Sequence, residues 1–372
     1  MSPGTRRRNN GEMSASGSEA ARPRSLTDAW ALGALRVPNR VLLAPLAGIG
    51  NWFVRLQAKR YGAGMAFSEM VSSHAIHYGN SKTHRELLRI DERERDSGPT
   101  SIQLFGEDPT MFRSAAAHVA RIGADAIDIN MGCPVTKVCK TGAGAALLDD
   151  PDRAVAAARA TVEGAAEGAG GPLPVTAKLR SGVRAGDDSG FRLAHRLVAE
   201  AGVAAIIFHP RSAAVQHKGS PDYALAERLV RTLPAPVMLS GGLDDAACVR
   251  EAFEATGAEA VMLARGALGN PWLFEELLGG RERPPTRAEV LDELDWTISR
   301  AVEHLGEEHA TRYLRKFYPW YIARLQLPPP QRNELLASAQ AAGTLARVRA
   351  LLAIAPREGT AAPGPGKALS AA

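Results

Sequence analysis

Three cysteines in 372 residues are too few for a disulfide framework and point to a reducing compartment, the cytoplasm. A metal set is missing as well. Cys133 and Cys139 stand as C-x5-C with no second pair to complete a tetrahedral site, so no metal is expected. No run of about 18 apolar residues occurs, and no membrane span is expected. The opening MSPGTRRRNNGEMSASGSEAARPRS carries arginines without an apolar stretch behind them, so it does not read as a secretory signal. Its Ser/Gly/Arg bias, like that of the closing PREGTAAPGPGKALSAA, predicts disorder at both ends. The first apolar run leads into APLAGIGN, not into the G-x-G-x-x-G turn of a doubly wound dinucleotide fold. Net charge is +5 with a pI near 9.2. That excess has two readings: an anionic partner, or simply the five arginines before residue 25.

What is present is a rhythm. Eight short apolar runs alternate with longer alanine-rich stretches: 41–48, 65–71, 101–106, 126–132, 174–182, 204–211, 236–242 and 260–267. The intervening pieces carry apolar residues at helical spacing and end near glycines. Strand–helix units repeated eight times predict an α/β chain, a (β/α)8 TIM barrel. From residue 284 the pattern turns all-helical. Pro284-Pro285 is followed by a Thr286-x-x-Glu289 capping box and apolar residues at 290, 294, 298, 302 and 305; a kink is expected at Pro319. The expected organisation is a disordered 1–27, a barrel over 28–283, a small C-terminal all-helical domain over 284–356 and a disordered 357–372.

Barrel chemistry belongs at the C-terminal strand ends. There the chain places Glu69, Gln103, Asn130, Cys133, Lys178, Arg180, His209, Arg211, Ser240 and Arg265. Ser240-Gly241-Gly242 and Ala264-Arg265 follow the seventh and eighth strands, where barrels often hold a phosphate; ordinary tight turns are the other reading. Lys178, inward from a strand, needs an anion or an electron-rich acceptor; it suits a Schiff base or negative charge on a cofactor ring. Gln103 can both donate to and accept from a heteroaromatic edge. Together these features suggest a flavin mononucleotide, phosphate at the last two strands and ring over the mouth. Cys133 sits in a Gly-Cys-Pro turn aimed at this pocket. A buried structural thiol, a nucleophile and a proton donor all remain open for it.

The stretches LAPLAGIGNWFVR, GAGMAFSEMVSS, SIQLFGEDP, DINMGCPVTKVCKTGAGAALL, PVTAKLRSG, IIFHPRSAAVQHKGSPDY and ARGALGNPWLF lie in order over roughly residues 40–275. In this combination the chain resembles the tRNA-dihydrouridine synthases, nearest their bacterial B-type branch. The resemblance implies FMN on a barrel, reduced by NADPH or NADH, and reduction of the C5–C6 bond of selected uridines in tRNA. It implies that Cys133 protonates C5. Pro45, Leu46, Ala47, Gln103, Lys178, His209, Ser240, Gly241, Gly242, Ala264 and Arg265 would contact the cofactor. Asn130, Arg180, Lys137 and Lys140 would contact the nucleotide, with 137–144 closing over it.

The tail would bind tRNA. Arg312, Arg315, Lys316 and Arg324 would meet phosphates, and Tyr313, Phe317, Tyr318 and Trp320 would either stack on bases or pack the tail onto the barrel. Departures from the family pattern are Ser240-Gly241-Gly242 for Asn-Gly-Asp, Ala264 for glycine, Leu46 for methionine, and Gly50-Asn51 for Thr-Asp or Thr-Asn. Two further readings compete: a flavin barrel acting on a small molecule, and an RNA-binding protein without flavin.

Overall fold

Eight parallel strands close into a barrel in the computed structural model, which describes residues 24–359. The tails expected at 1–27 and 357–372 fall outside that range except for residues 24–27 and 357–359. In chain order the barrel strands are β3 (Val41–Leu43), β4 (Met65–Ser72), β5 (Thr100–Phe105), β6 (Ala126–Met131), β7 (Val175–Arg180), β8 (Ala205–His209), β9 (Val237–Ser240) and β10 (Ala260–Leu263). They follow β1 (Trp30–Leu32) and β2 (Leu35–Val37), an antiparallel hairpin. β10 pairs with both β9 and β3 and so closes the ring. All eight expected runs become these strands. All but β4 stop one to five residues sooner than the run, because its last residues leave the ladder to form the rim.

The strands alternate in and out, as a pleated backbone requires. Val41, Leu43, Ile127, Ile129, Ile206, Phe208, Val261 and Leu263 face the surrounding helices in the large core. Leu42, Met65, Phe67, Ala205, Ile207, Met238 and Met262 fill the barrel itself. Trp30, Leu32 and Val37 of the hairpin join that inner cluster. Gly33, at the hairpin turn, lies against Pro174 just before β7, so the hairpin plugs the end away from the mouth. Sequence reasoning missed this hairpin: strands of three residues carry too little periodicity to stand out.

The helical tail begins as expected. Thr286 Oγ1 accepts from Glu289 N–H at 3.2 Å, and Glu289 Oε2 accepts from Thr286 N–H at 2.6 Å, opening the helix Arg287–Leu305. The kink expected at Pro319 is instead a complete break a few residues earlier. Helix Glu307–Tyr313 ends, Leu314–Lys316 makes one 3-10 turn, and helix Tyr318–Arg324 starts with Pro319 in its first turn, where a missing N–H costs nothing.

A buried polar knot ties tail to barrel. Gln57 Nε2 lies 2.8 Å from Glu293 Oε1, 3.1 Å from Thr297 Oγ1 and 2.8 Å from Tyr321 Oη, and Tyr61 Oη donates to Glu293 Oε2 at 2.7 Å. Phe317, Tyr318 and Arg324 are buried, so packing, not base stacking, accounts for these two aromatics; Arg312, Arg315 and Lys316 are exposed. No helix among the described residues is long and apolar enough to cross a membrane.

Candidate active site

The barrel mouth opens into a cavity of about 430 Å3, a size ordinary for small-molecule sites. Its walls gather most residues singled out from sequence. Pro45, Leu46 and Ala47 come from the loop after β3, Gln103 from β5, Asn130 and Cys133 from β6 and its turn, and Lys178 and Arg180 from β7. His209 comes from β8, Ser240, Gly241 and Gly242 from the end of β9, and Ala264 and Arg265 from the end of β10. Two expected contacts stand apart: Lys137 and Lys140 are exposed on and just beyond the short helix Thr136–Cys139 and do not line the cavity. Glu69 is also elsewhere, its Oε2 accepting from Gly48 N–H at 2.8 Å.

Strand register sets the floor. Gln103 lies beside Asp128, Asp128 beside Thr176, and Asn130 beside Lys178 across neighbouring strands. Gln103 Nε2 donates to Asp128 Oδ2 at 2.6 Å, and Thr176 Oγ1 to Asp128 Oδ1 at 2.5 Å. Asn130 Nδ2 donates to Gln103 Oε1 at 2.9 Å. Asn130 Oδ1 in turn accepts from the N–H groups of Gly132 (3.2 Å) and Cys133 (2.9 Å). Burial raises the Asp128 carboxyl, countered by the bonds from Gln103 and Thr176.

The cysteine turn is held from other sides too. Arg180 Nε donates to Gly132 O at 2.8 Å, and Ala145 N–H to Cys133 O at 3.0 Å. Arg180 also reaches the neighbouring loop, its Nη1 donating to Ser212 O at 3.1 Å and Gln216 O at 2.7 Å. Much of this guanidinium is therefore spent on tying the cysteine turn to the loop after β8. Cys133 itself is half-buried, and burial pushes its thiol up, with a backbone bond from Val135 partly opposing. At neutral pH the sulfur therefore keeps its proton, which favours the acid over the nucleophile among the three readings.

The cavity is cationic: Lys178, Arg180, Arg211 and Arg265 line it against one carboxylate, Asp244. Burial, then Arg180, lowers the Lys178 ammonium. Burial, then Lys178 and the two nearest arginines, hold His209 well below its ordinary value, so its ring is neutral. His217 stacks on it with centroids 6.2 Å apart and is pushed down to about 4 by burial and then by Arg265. Arg211 Nε is buried without a hydrogen-bond partner, and among the described residues no acceptor bonds the Lys178 or Arg265 side chain. Unpaired cations at this density call for an anion.

The glycines supply its cradle. Gly241 has φ +98, and a Cβ there would collide with the His209 ring. Gly242 has φ +77, with Pro221 and Tyr223 each 2.7 Å from a Cβ. Only glycine brings the backbone this close. A phosphate-bearing cofactor would fit this glycine and cation cradle.

Polar residues that sequence reasoning did not assign to the site are Asp128, beneath the floor, and Gln216, His217 and Asp244, in the wall. Asp128 was legible in principle, since DIN places two polar residues on one face of an otherwise apolar strand. His217 sits in an irregular loop where no periodicity marks it.

Fold and site together define a class, the (β/α)8 barrels with a cationic cavity at the strand ends. Within it the chain belongs to the dihydrouridine synthase (Dus) family, whose sequence pattern matches residues 42–355. It is 35% identical over 304 residues to tRNA-dihydrouridine synthase B of Pseudomonas aeruginosa, covering 79% of this chain and 87% of that one. It is 34% identical over 295 residues to tRNA-dihydrouridine synthase B of Xanthomonas axonopodis pv. citri, covering 78% and 86%. Among solved structures, 2-naphthoyl-CoA reductase in complex with 2-naphthoyl-CoA shares the barrel at 14% identity, with a TM-score of 0.54 over 72% of this chain and 53% of that chain. A morphinone reductase in complex with tetrahydroNAD does so at 16% identity, with a TM-score of 0.50 over 69% and 92%. At such identities the likeness is one of fold.

Proposed function

We propose that this protein reduces the C5–C6 double bond of selected uridines in tRNA to 5,6-dihydrouridine, with FMN in the cationic mouth and NADPH or NADH as the electron source. The observation that carries this reading is a half-buried cysteine on the rim of a pocket lined by Lys178, Arg180, Arg211 and Arg265. The relatives named above, both called tRNA-dihydrouridine synthase B, support the choice of substrate.

Gly241, Gly242 and Arg265 would hold the phosphate, and Gln103, Lys178 and the Pro45–Ala47 loop the ring. When bound and reduced, the flavin supplies the hydride that adds to C6 of the uracil. The chain's own work is the rest. The base must be unstacked from the tRNA to enter a pocket of this size. Hydride addition leaves enolate-like charge on the base, spread toward O4, which the Lys178 ammonium and the Asn130 amide would stabilise. Cys133 gives its thiol proton to C5, completing the two-hydrogen reduction. Arg180 keeps the cysteine turn and the loop after β8 in register. Lys137 and Lys140, outside the cavity, would meet the flanking backbone. A tRNA substrate implies a cytoplasmic enzyme.

The test is direct. The purified protein should be yellow and should form dihydrouridine in unmodified tRNA with NADPH, and Cys133→Ala should lose about 100-fold or more of that activity. A colourless protein that takes up no FMN, or full activity in Cys133→Ala, would refute the reading.

A further inference from the structure

Asp128 is fully buried and does not line the cavity, so it touches neither substrate nor cofactor. It nevertheless begins an unbroken line of hydrogen bonds that ends on the backbone of Cys133. We propose that Asp128 is a positioning residue for the acid cysteine, acting through the side-chain amides of Gln103 and Asn130. This inference rests on the functional reading above.

The argument is one of polarity. Asp128 Oδ2 faces Gln103 as an acceptor, so Gln103 must present its NH2 to it, at 2.6 Å. That leaves Gln103 Oε1 for the next residue, and Asn130 must present its own NH2, at 2.9 Å. Asn130 Oδ1 is then the atom that faces the N–H groups of Gly132 and Cys133. If Asn130 turned over, its NH2 would stand against those N–H groups and the turn carrying the sulfur would have to move; if Gln103 turned over, its NH2 would stand against that of Asn130 and drive the same flip. A proton on Asp128 Oδ1, toward Thr176, would leave this order unchanged, because Oδ2 still accepts. The register makes the line possible: Gln103 beside Asp128 on β5 and β6, and Asp128 and Asn130 two residues apart on one face of β6.

The experiment is a double-mutant cycle in the flavin-loaded full-length protein. Asp128→Leu and Asp128→Ala, which leave Gln103 no acceptor, are each made with Cys133 intact and in Cys133→Ala. Flavin content and the rate of flavin reduction by NADPH should stay within about threefold of the parent. Reoxidation by tRNA should slow by about 10- to 100-fold with Cys133 intact, the cost of a misplaced reacting group. In Cys133→Ala the same changes should cost less than about threefold more, because the group they position is gone.

A second readout needs no turnover. Alkylation of Cys133 by iodoacetamide, mapped by mass spectrometry, should change by more than about threefold in Asp128→Leu, while the exposed Cys248 reacts as before. Should Asp128→Ala fail to fold, Gln103→Leu breaks the line at its centre and should give the same change at Cys133. Equal costs in both backgrounds, or unaltered Cys133 alkylation, would overturn the inference. If the parent protein makes no dihydrouridine, the functional reading fails while the alkylation result still judges the positioning. If the parent is active and the costs simply add, only the positioning fails.

Discussion

Two residues in the mouth carry opposite kinds of constraint, and each makes a measurable claim. Gly241 is constrained by space: with φ +98 and the His209 ring in the way of any Cβ, a methyl group has nowhere to go. Gly241→Ala should cost about 1–3 kcal/mol of stability through backbone strain and displace His209, which thermal unfolding will report. The same variant should purify with a lower ratio of flavin to protein absorbance. Arg265 is constrained by charge. It shares the cavity with Lys178, Arg180 and Arg211 and has no ion-pair partner among the described residues. Removing it relieves repulsion, so Arg265→Ala should leave the flavin-free protein as stable as before or slightly more so. Its FMN affinity should nonetheless fall by about tenfold or more, the worth of a charge-assisted hydrogen bond, as measured by fluorescence titration. A variant that loses stability but keeps its affinity would show that Arg265 props up the fold and does not hold the phosphate.

At the scale of elements, the chain was most readable where one physical rule acted alone. The eight barrel strands show as apolar runs because both faces are covered, one by helices and one by the barrel's own filling. The finer alternation was present but hidden. Inside the barrel Leu42, Ile207, Met238 and Met262 are as apolar as their outward neighbours, and only near the mouth do Gln103, Asn130 and Lys178 break the pattern. Hence the site was legible at strand ends, whereas Asp128, one layer deeper, passed for part of an apolar run.

Rim loops were less legible, because their shape depends on partners far away in sequence, as when Arg180 binds the carbonyls of Ser212 and Gln216. The capping box at Thr286 is local in sequence, and it appears as read. It also carries a prediction with a sign. Burial alone would raise the Glu289 carboxyl, but bonds from Thr286 N–H and Arg281 bring it down to about 2. A carboxyl depressed in the folded state adds stability above its unfolded value near 4.5, and loses it as pH falls toward about 2. Thr286→Ala should therefore cost about 1 kcal/mol near neutrality by denaturant unfolding. Glu289→Gln should flatten the acid limb of the stability curve between those two values.

For the whole molecule the question is whether the tail serves the barrel as structure or as a tRNA grip, and truncation alone will not answer it. Deleting residues 284–372 would remove Glu293, Thr297 and Tyr321 from the buried Gln57 amide and strip Phe317, Tyr318 and Ile322 from the shared core. The remainder should be poorly soluble, and its inactivity would say nothing about tRNA. Exposed cations separate the two roles. Arg312 and Arg315 lie on the outside of the tail, whereas Lys316 donates to Gly48 O at 3.0 Å and belongs to the docking. Among the described residues Arg312 pairs only with Glu308 one helical turn away, a surface interaction worth little. Arg312→Glu combined with Arg315→Glu should therefore leave thermal stability and NADPH-driven flavin reduction unchanged. If the tail grips phosphates, the same pair should raise KM for tRNA and lower the slope of log affinity against log salt by about one for each phosphate no longer neutralised. An unchanged salt slope would assign the tail to structure and leave the pocket's own cations, with Lys137 and Lys140, to hold the nucleic acid.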